Sequence, residues 1–189
     1  MLLFVLCFAK DEITASAEVN IDDSVMKDEL IELAEEYNPV FEILPKEGKE
    51  LFKDEEFRLE FLAICNENDI PPELVISVIK KESNFDPEAD NGKCVGLMQI
   101  NEKWHKDRMD RLGVTDLMDP LQNIKVGVDY LAELKENREI KYTLMIYNMG
   151  FKKAKQRLEE KGYSSYANTI VEYAEELSGY INSGRHQSF

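Results

Sequence analysis

The chain has little of what metal and nucleophile chemistry requires. Its 189 residues include three cysteines, two histidines and one tryptophan. Cys7, Cys65 and Cys94 form no C-x-x-C pair, and neither His105 nor His186 belongs to an H-E-x-x-H, so no zinc ligand pattern exists. The glycine-rich loops G-x-x-x-x-G-K-[ST] and G-x-G-x-x-G are missing, as is the nucleophile turn G-x-S-x-G. The expectation is therefore an activity without metal or cofactor. Positive charge is scarce as well: 23 Lys and Arg stand against 38 Asp and Glu, a net charge of −15. That balance argues against binding to nucleic acid or to an anionic membrane surface, since both need cations to displace counterions. The longest apolar run, residues 1–9, falls well short of the roughly 20 residues that span a bilayer.

What is present suits one globular domain, alone or extended by a short segment. A chain of this length buries roughly 70% of its unfolded surface and needs no staple to fold. MLLFVLCFA at residues 1–9, followed by Ala15-Ser16-Ala17, reads as a secretory signal cleaved after Ala17, although no Lys or Arg precedes the run. Phe4-Val5-Leu6 lacks the small residues usual before a lipidated cysteine, so Cys7 is not read as an anchor. Cleavage would place the mature chain outside the cytoplasm, secreted or in the cell envelope, with no integral membrane segment. There Cys65 and Cys94 either pair or stay separate thiols.

Every convincing periodicity is helical, and the expected class is all-α with at most a minor β hairpin near Val95–Ile100. Met26, Leu30, Leu33, Ala34 and Tyr37 share one face, capped around Asp22–Ser24. Pro45 and Gly48 then suggest a linker, so residues 18–52 read as a helical extension plus linker. Phe57, Phe61, Ile64 and Cys65 mark the next helix. Pro71-Pro72-Glu73 opens another, apolar on nearly every side, that runs to Ser83. Asp119-Pro120 opens a helix whose buried face is Leu121, Ile124, Val128, Leu131 and Leu134. Residues 141–147 form a core helix broken near Asn148–Gly150, Phe151, Ala154 and Leu158 a short one, and Tyr166 to Leu177 the last, capped by Ser164 or Ser165. The main domain reads as 53–180, with a polar, frayed tail at 181–189.

The informative residue is Glu82. It lies at the C-terminal end of the most apolar helix, where desolvation and the negative end of the helix dipole both disfavour a carboxylate. A carboxyl still protonated near neutral pH is a general acid; a solvated helix-end Glu is the plainer alternative.

Around it the sequence resembles a family. Glu82-Ser83-Asn84-Phe85-Asp86-Pro87-Glu88-Ala89 is similar to the E-S-x-F-x-P-x-A motif of the soluble lytic transglycosylases, in the lysozyme-like superfamily. Gly96-Leu97-Met98-Gln99-Ile100-Asn101, Asp119-Pro120-x-x-Asn123-Ile124-x-x-Gly127-x-x-Tyr130-Leu131 and Tyr147-Asn148-x-Gly150 supply three further blocks in order. The resemblance implies a lysozyme-like fold and cleavage of the β-1,4 bond between N-acetylmuramic acid and N-acetylglucosamine in peptidoglycan. Glu82 is then the single acid/base and the product carries a 1,6-anhydro end. The partner is the glycan strand, and a secretion or wall-remodelling apparatus is compatible with such a task.

On the same ground Ser83, Met98, Gln99, Tyr147, Asn148 and Tyr166 are the candidate substrate contacts. Tyr142, Tyr163 and Tyr173 compete with Tyr166. Gly96 would let the substrate lie against the backbone, Met98 would offer a flexible apolar wall, and Gln99 would offer amide groups for N-acetyl recognition. Ile146 and Met149 are bulkier than the alanine usual in the family. Two other readings stay open at this point. One is a hydrolysing muramidase of the goose-lysozyme kind, with Asp86, Glu88 or Asp90 positioning water. The other is a non-catalytic glycan-binding or assembly protein on the same fold.

Overall fold

The computed structural model describes the backbone of residues 21–185 and the side chains of residues 30–182, so the signal expected at 1–17 lies outside the described residues. The described chain forms α1 (Ile21–Ile43), α2 (Lys46–Leu51), α3 (Glu55–Glu67), α4 (Pro72–Ser83), α5 (Glu102–Leu112), α6 (Pro120–Lys135), α7 (Ile140–Met149), α8 (Phe151–Lys161) and α9 (Ser165–Arg185). The class is all-α. In place of a hairpin, Val95 makes isolated antiparallel bridges to Asp90 and Ile100, and no strand forms among the described residues. No described helix is long and apolar enough to cross a membrane.

The helix boundaries follow local chemistry. Asp54, Asn101 and Asp119 cap α3, α5 and α6, each side chain accepting a backbone N–H three residues on. Ser164, one of the two candidate caps for α9, accepts from the Ala167 N–H at 3.2 Å. Helix α9 continues through Arg185, so the tail expected from residue 181 is helical over its first residues.

Helix α4 is the hub. Leu74, Val75, Ile76, Val78 and Ile79 are all buried, and α4 packs on α9 and α3. Side chains of this size contribute about 1.5–3 kcal/mol each when fully buried, which fixes α4 firmly at the centre of the molecule. Helix α1 packs on α9 and α3 and adds Tyr37, Val40, Phe41 and Leu44 to the same core. The rings of Phe41 and Phe61 both meet Phe52 at 5.0 Å.

Two sequence expectations are corrected. The linker at Pro45–Gly48 is helix α2, and its Gly48 is buried. A Cβ there would lie 3.0 Å from Leu44 Cβ and 3.2 Å from the Phe85 ring, so this glycine serves close packing rather than flexibility. Helix α5 was not anticipated. It is almost wholly polar and buries only Met109, so it lacks an apolar stripe. Cys65 and Cys94 are both free thiols.

Candidate active site

Glu82 sits in the last turn of α4, which Pro71-Pro72 begins and a left-handed pair ends. Asn84 (φ 54°) donates its N–H to the Lys80 carbonyl, and Phe85 (φ 67°) follows in the same region. This double turn reverses the chain and drives Phe85 into the core, 2% exposed. Two consecutive non-glycine residues in that region store strain of about 1–3 kcal/mol each, offset here by the burial of Phe85.

The Glu82 carboxyl is partly buried and accepts a hydrogen bond from the Tyr166 hydroxyl of α9. Burial pushes its pKa above the ordinary carboxylate value, while the Tyr166 hydrogen bond and the Lys81 charge pull it down without cancelling the rise. Tyr147, on α7, donates its hydroxyl to the Met98 carbonyl at 2.8 Å. Burial first, and then the Glu82 charge, hold both Tyr147 and Tyr166 well above the ordinary phenol value, so both remain neutral donors. Helix α9 thus reaches the carboxyl directly, and Tyr147 of α7 lies near enough to feel its charge.

The competing tyrosines are engaged elsewhere. Tyr163 donates to Glu139, Tyr173 lies under the Lys80 ammonium, and Tyr142 packs against Phe151. Tyr166 alone among the four reaches Glu82.

The loop from Asp90 to Asn101 is knitted to itself. Asn91 Oδ1 accepts the Lys93 and Cys94 N–H groups, both at 3.0 Å, and Asn91 Nδ2 donates to Gln99 Oε1 at 2.8 Å. Gln99 Nε2 donates to the Ala89 and Gly96 carbonyls at 3.0 and 3.1 Å. Asn101 Nδ2 closes the loop onto the Lys93 carbonyl at 2.8 Å.

From α6, the buried Asn123 holds this loop from behind. Its Oδ1 accepts the Met98 N–H at 2.8 Å, and its Nδ2 donates to the Val95 and Leu117 carbonyls at 2.9 and 2.8 Å. Every strong hydrogen-bonding direction of a buried amide is thereby used except one lone pair.

This geometry reassigns several residues. Met98 is fully buried with its sulfur on Gly127, where a Cβ would come within 2.4 Å, so its side chain fills the core and does not line a groove. Its carbonyl does the site's work by anchoring Tyr147. Gly96 is needed not for substrate approach but for Asn123: a Cβ would fall 2.2 Å from Asn123 Nδ2 and 2.6 Å from the Leu117 carbonyl oxygen. Gln99, itself left-handed at φ 50°, spends its amide bracing the loop. Ser83 donates to the Ile79 carbonyl at 3.1 Å, the ordinary bond of a helix-end serine. Asn148, next to Tyr147 in the chain, is exposed at the C-terminal end of α7. Asp86, Glu88 and Asp90 are exposed, and Asp86 and Asp90 each brace a turn by accepting a backbone N–H.

Sequence reasoning missed one connection. Tyr130, in the third block, packs its ring against Tyr147 at 5.3 Å and against His105 of α5 at 4.6 Å. Arg108 lies over Tyr130 at 5.1 Å and pairs with Asp129 and Glu133. Tyr130 stands in the third sequence block, but its partner His105 lies on α5, whose polar sequence offers no apolar stripe to read.

A hollow of about 670 Å³ is lined by Glu47, Leu51, Phe57, Ser83, Asp86 and Pro120 among others, and by none of Glu82, Tyr147 or Tyr166. Glu82, whose carboxyl pKa is raised by burial, lies outside that lining and is the candidate for chemistry.

Known proteins resemble this chain over its central part. The family model described as the transglycosylase SLT domain matches residues 61–170. A membrane-bound lytic murein transglycosylase F from Desulfosudis oleivorans is 35% identical over 88 residues, covering 42% of this chain and 18% of that protein. A transglycosylase of Enterobacteria phage PRD1 is 33% identical over 96 residues, covering 50% of this chain and 35% of that one. A solved structure of an inactive form of lytic transglycosylase Slt from Pseudomonas aeruginosa overlays with a TM-score of 0.49 and 20% identity, covering 66% of this chain and 22% of that chain. The chain therefore spans less than two thirds of the curated relatives it matches.

Proposed function

Since the chain belongs to the transglycosylase SLT domain family, we propose that it cleaves the β-1,4 bond between N-acetylmuramic acid and N-acetylglucosamine in peptidoglycan without consuming water. The observation that carries this is one carboxyl, Glu82, whose pKa is raised by burial and which is held by Tyr166. Protonated Glu82 gives its proton to the glycosidic oxygen as the C1–O bond breaks, and the N-acetylglucosamine leaves with a free 4-hydroxyl. Glu82, now a carboxylate, takes the proton of the muramic acid C6 hydroxyl as that oxygen bonds to C1. The 1,6-anhydro ring closes and Glu82 ends protonated, ready for another cycle. The muramic acid N-acetyl group stabilises the cationic carbon between the two steps.

The hydrolytic alternative calls for a second carboxylate to position water. The groups that set the ionisation of Glu82 are Tyr166 and Lys81, and the acids of the 86–90 turn are exposed. Tyr147, Tyr166 and the exposed Asn148 are the side chains that remain as substrate contacts; Ser83, Met98 and Gln99 act through the scaffold. A peptidoglycan substrate calls for an activity outside the cytoplasm, the destination that the signal expected at residues 1–17 would give, and suits local wall opening for a secretion or wall-remodelling apparatus.

The test is digestion of purified peptidoglycan by the chain and by Glu82→Gln, with mass spectrometry of the released muropeptides. Anhydro-ended products that vanish with the variant support the assignment. Products one water heavier would replace it with hydrolysis.

A further inference from the structure

The single tryptophan of the chain is out in solvent. Trp104 is 80% exposed, whereas among the described residues the other exposed large apolar side chains lie between 36% and 54%. A lone exposed apolar residue needs no explanation in itself. Its place in the fold, however, ties it to the reactive cluster by two routes.

The first route is through rings. His105, the next residue, packs on Tyr130 at 4.6 Å, and Tyr130 packs on Tyr147 at 5.3 Å. Tyr147 in turn feels the charge of Glu82. The second route is through the chain. The backbone N–H of Trp104 is held by the Asn101 carbonyl at 3.1 Å, and Asn101 ends the loop whose Met98 carbonyl anchors Tyr147. The first turn of α5 is therefore tied to Tyr147, and the indole is the large apolar side chain of that turn left without cover.

We infer that Trp104 is a stacking platform for a sugar of the glycan strand beyond the scission point. This rests on the reading under Proposed function. The occupant follows from the ligand's chemistry. One face of a β-linked pyranose is a flat array of C–H bonds, which matches the broad apolar face of indole, and the indole N–H can donate to a ring hydroxyl. Tyr147, which feels the Glu82 charge, is joined to α5 by two ring contacts, Tyr147 to Tyr130 and Tyr130 to His105, so a strand leaving Glu82 on that side would come to the indole. In a chain of net charge −15, such a contact supplies affinity that does not depend on long-range attraction.

Because it is the only tryptophan, its emission reports this contact directly. The probe is the β-1,4-linked hexamer of N-acetylglucosamine, titrated into the Glu82→Gln chain. The emission is expected to move saturably to shorter wavelength as the indole leaves water. In parallel, wild type, Trp104→Ala and Trp104→Phe are assayed on soluble glycan strands. Trp104→Ala is expected to raise KM roughly tenfold, the size of one well-packed aromatic contact. Its kcat should stay within about twofold, its thermal midpoint should be unchanged because the side chain is exposed, and Trp104→Phe should recover most of the loss. Cleavage by wild type with an unaltered KM in Trp104→Ala, or hexamer binding with unmoved emission, overturns the platform and leaves the catalytic reading intact. A saturable emission change without any cleavage by wild type sustains the platform and overturns the catalytic reading. Neither cleavage nor an emission change overturns both.

Discussion

Replacing Gly96 by alanine tests how the loop beside Glu82 is held, and Gly92 provides an internal control. Both glycines are left-handed, at φ 75° and 79°, so alanine at either position carries a similar backbone strain, about 1–2 kcal/mol. They differ in what surrounds them. Nothing lies within 4 Å of a Cβ at Gly92, whereas at Gly96 it would sit 2.2 Å from Asn123 Nδ2 and 2.6 Å from the Leu117 carbonyl oxygen. The Leu117 oxygen is backbone and yields little, so the Asn123 amide must move by roughly 1 Å. That displacement breaks its bonds to the Val95 and Leu117 carbonyls, now 2.9 and 2.8 Å. Each buried bond is worth about 1 kcal/mol net, and an unsatisfied buried amide costs about 1–3 kcal/mol. Gly96→Ala should therefore lose about 2–5 kcal/mol more than Gly92→Ala, a large share of the roughly 5–15 kcal/mol that holds a domain together. Urea unfolding of the three proteins, followed by circular dichroism, measures the difference. Equal losses, within about 0.5 kcal/mol, would falsify the claim that Gly96 exists to admit Asn123.

Glu82→Gln should raise the thermal midpoint at pH 7. A carboxyl held above its unfolded value keeps its proton longer when folded, so stability is lost as pH rises from the unfolded value through the folded one. The advantage of the neutral glutamine should fade as pH drops below about 4, and a variant less stable at pH 7 would contradict a desolvated carboxyl. Tyr166→Phe removes the hydrogen bond that favours the charged form, so the alkaline limb of the kcat/KM profile should move to higher pH; a fixed limb would exclude Tyr166 from setting the acid. Met98→Ala should behave as a core deletion, costing about 2–5 kcal/mol in chemical unfolding while KM of the folded protein stays within about twofold. A large KM effect without loss of stability would return Met98 to the groove.

Glu82 could be picked out locally because it closes a helix whose Leu74–Ile79 stretch is apolar, and burial does push its carboxyl pKa up. Tyr166 could be singled out only by resemblance, since four tyrosines shared its neighbourhood in sequence and nothing but the docking of α9 on α4 chooses among them. Met98, Gln99 and Gly96 were read as groove residues because a flexible thioether, an amide and a glycine suit a sugar as well as they suit a tight loop. What decides between those uses lies away from each residue: Gly127 makes room for the Met98 sulfur, Asn123 crowds Gly96, and Gln99 bonds to Asn91 and to the Ala89 and Gly96 carbonyls, none of which a local pattern displays. Helix α5 escaped because periodicity detects burial, and α5 buries almost nothing. Its ends were nonetheless written in the chain, with Asn101 accepting at the start and Gly113 left-handed at the close. The segment taken for a linker illustrates the opposite error, where glycine marked contact instead of freedom.

The self-bonded loop from Asp90 to Asn101 has a calorimetric consequence. Its side-chain amides already have partners before any ligand arrives. A glycan that settles against it does not have to order it, so no conformational entropy is surrendered at that moment. The heat capacity change on binding should then scale with the surface that sugar and protein cover in each other, without the larger negative excess that accompanies a segment folding around its ligand. Association would have the character of two rigid faces meeting, with the dwell time of the strand, rather than its rate of arrival, decided by the contacts on either side of Glu82.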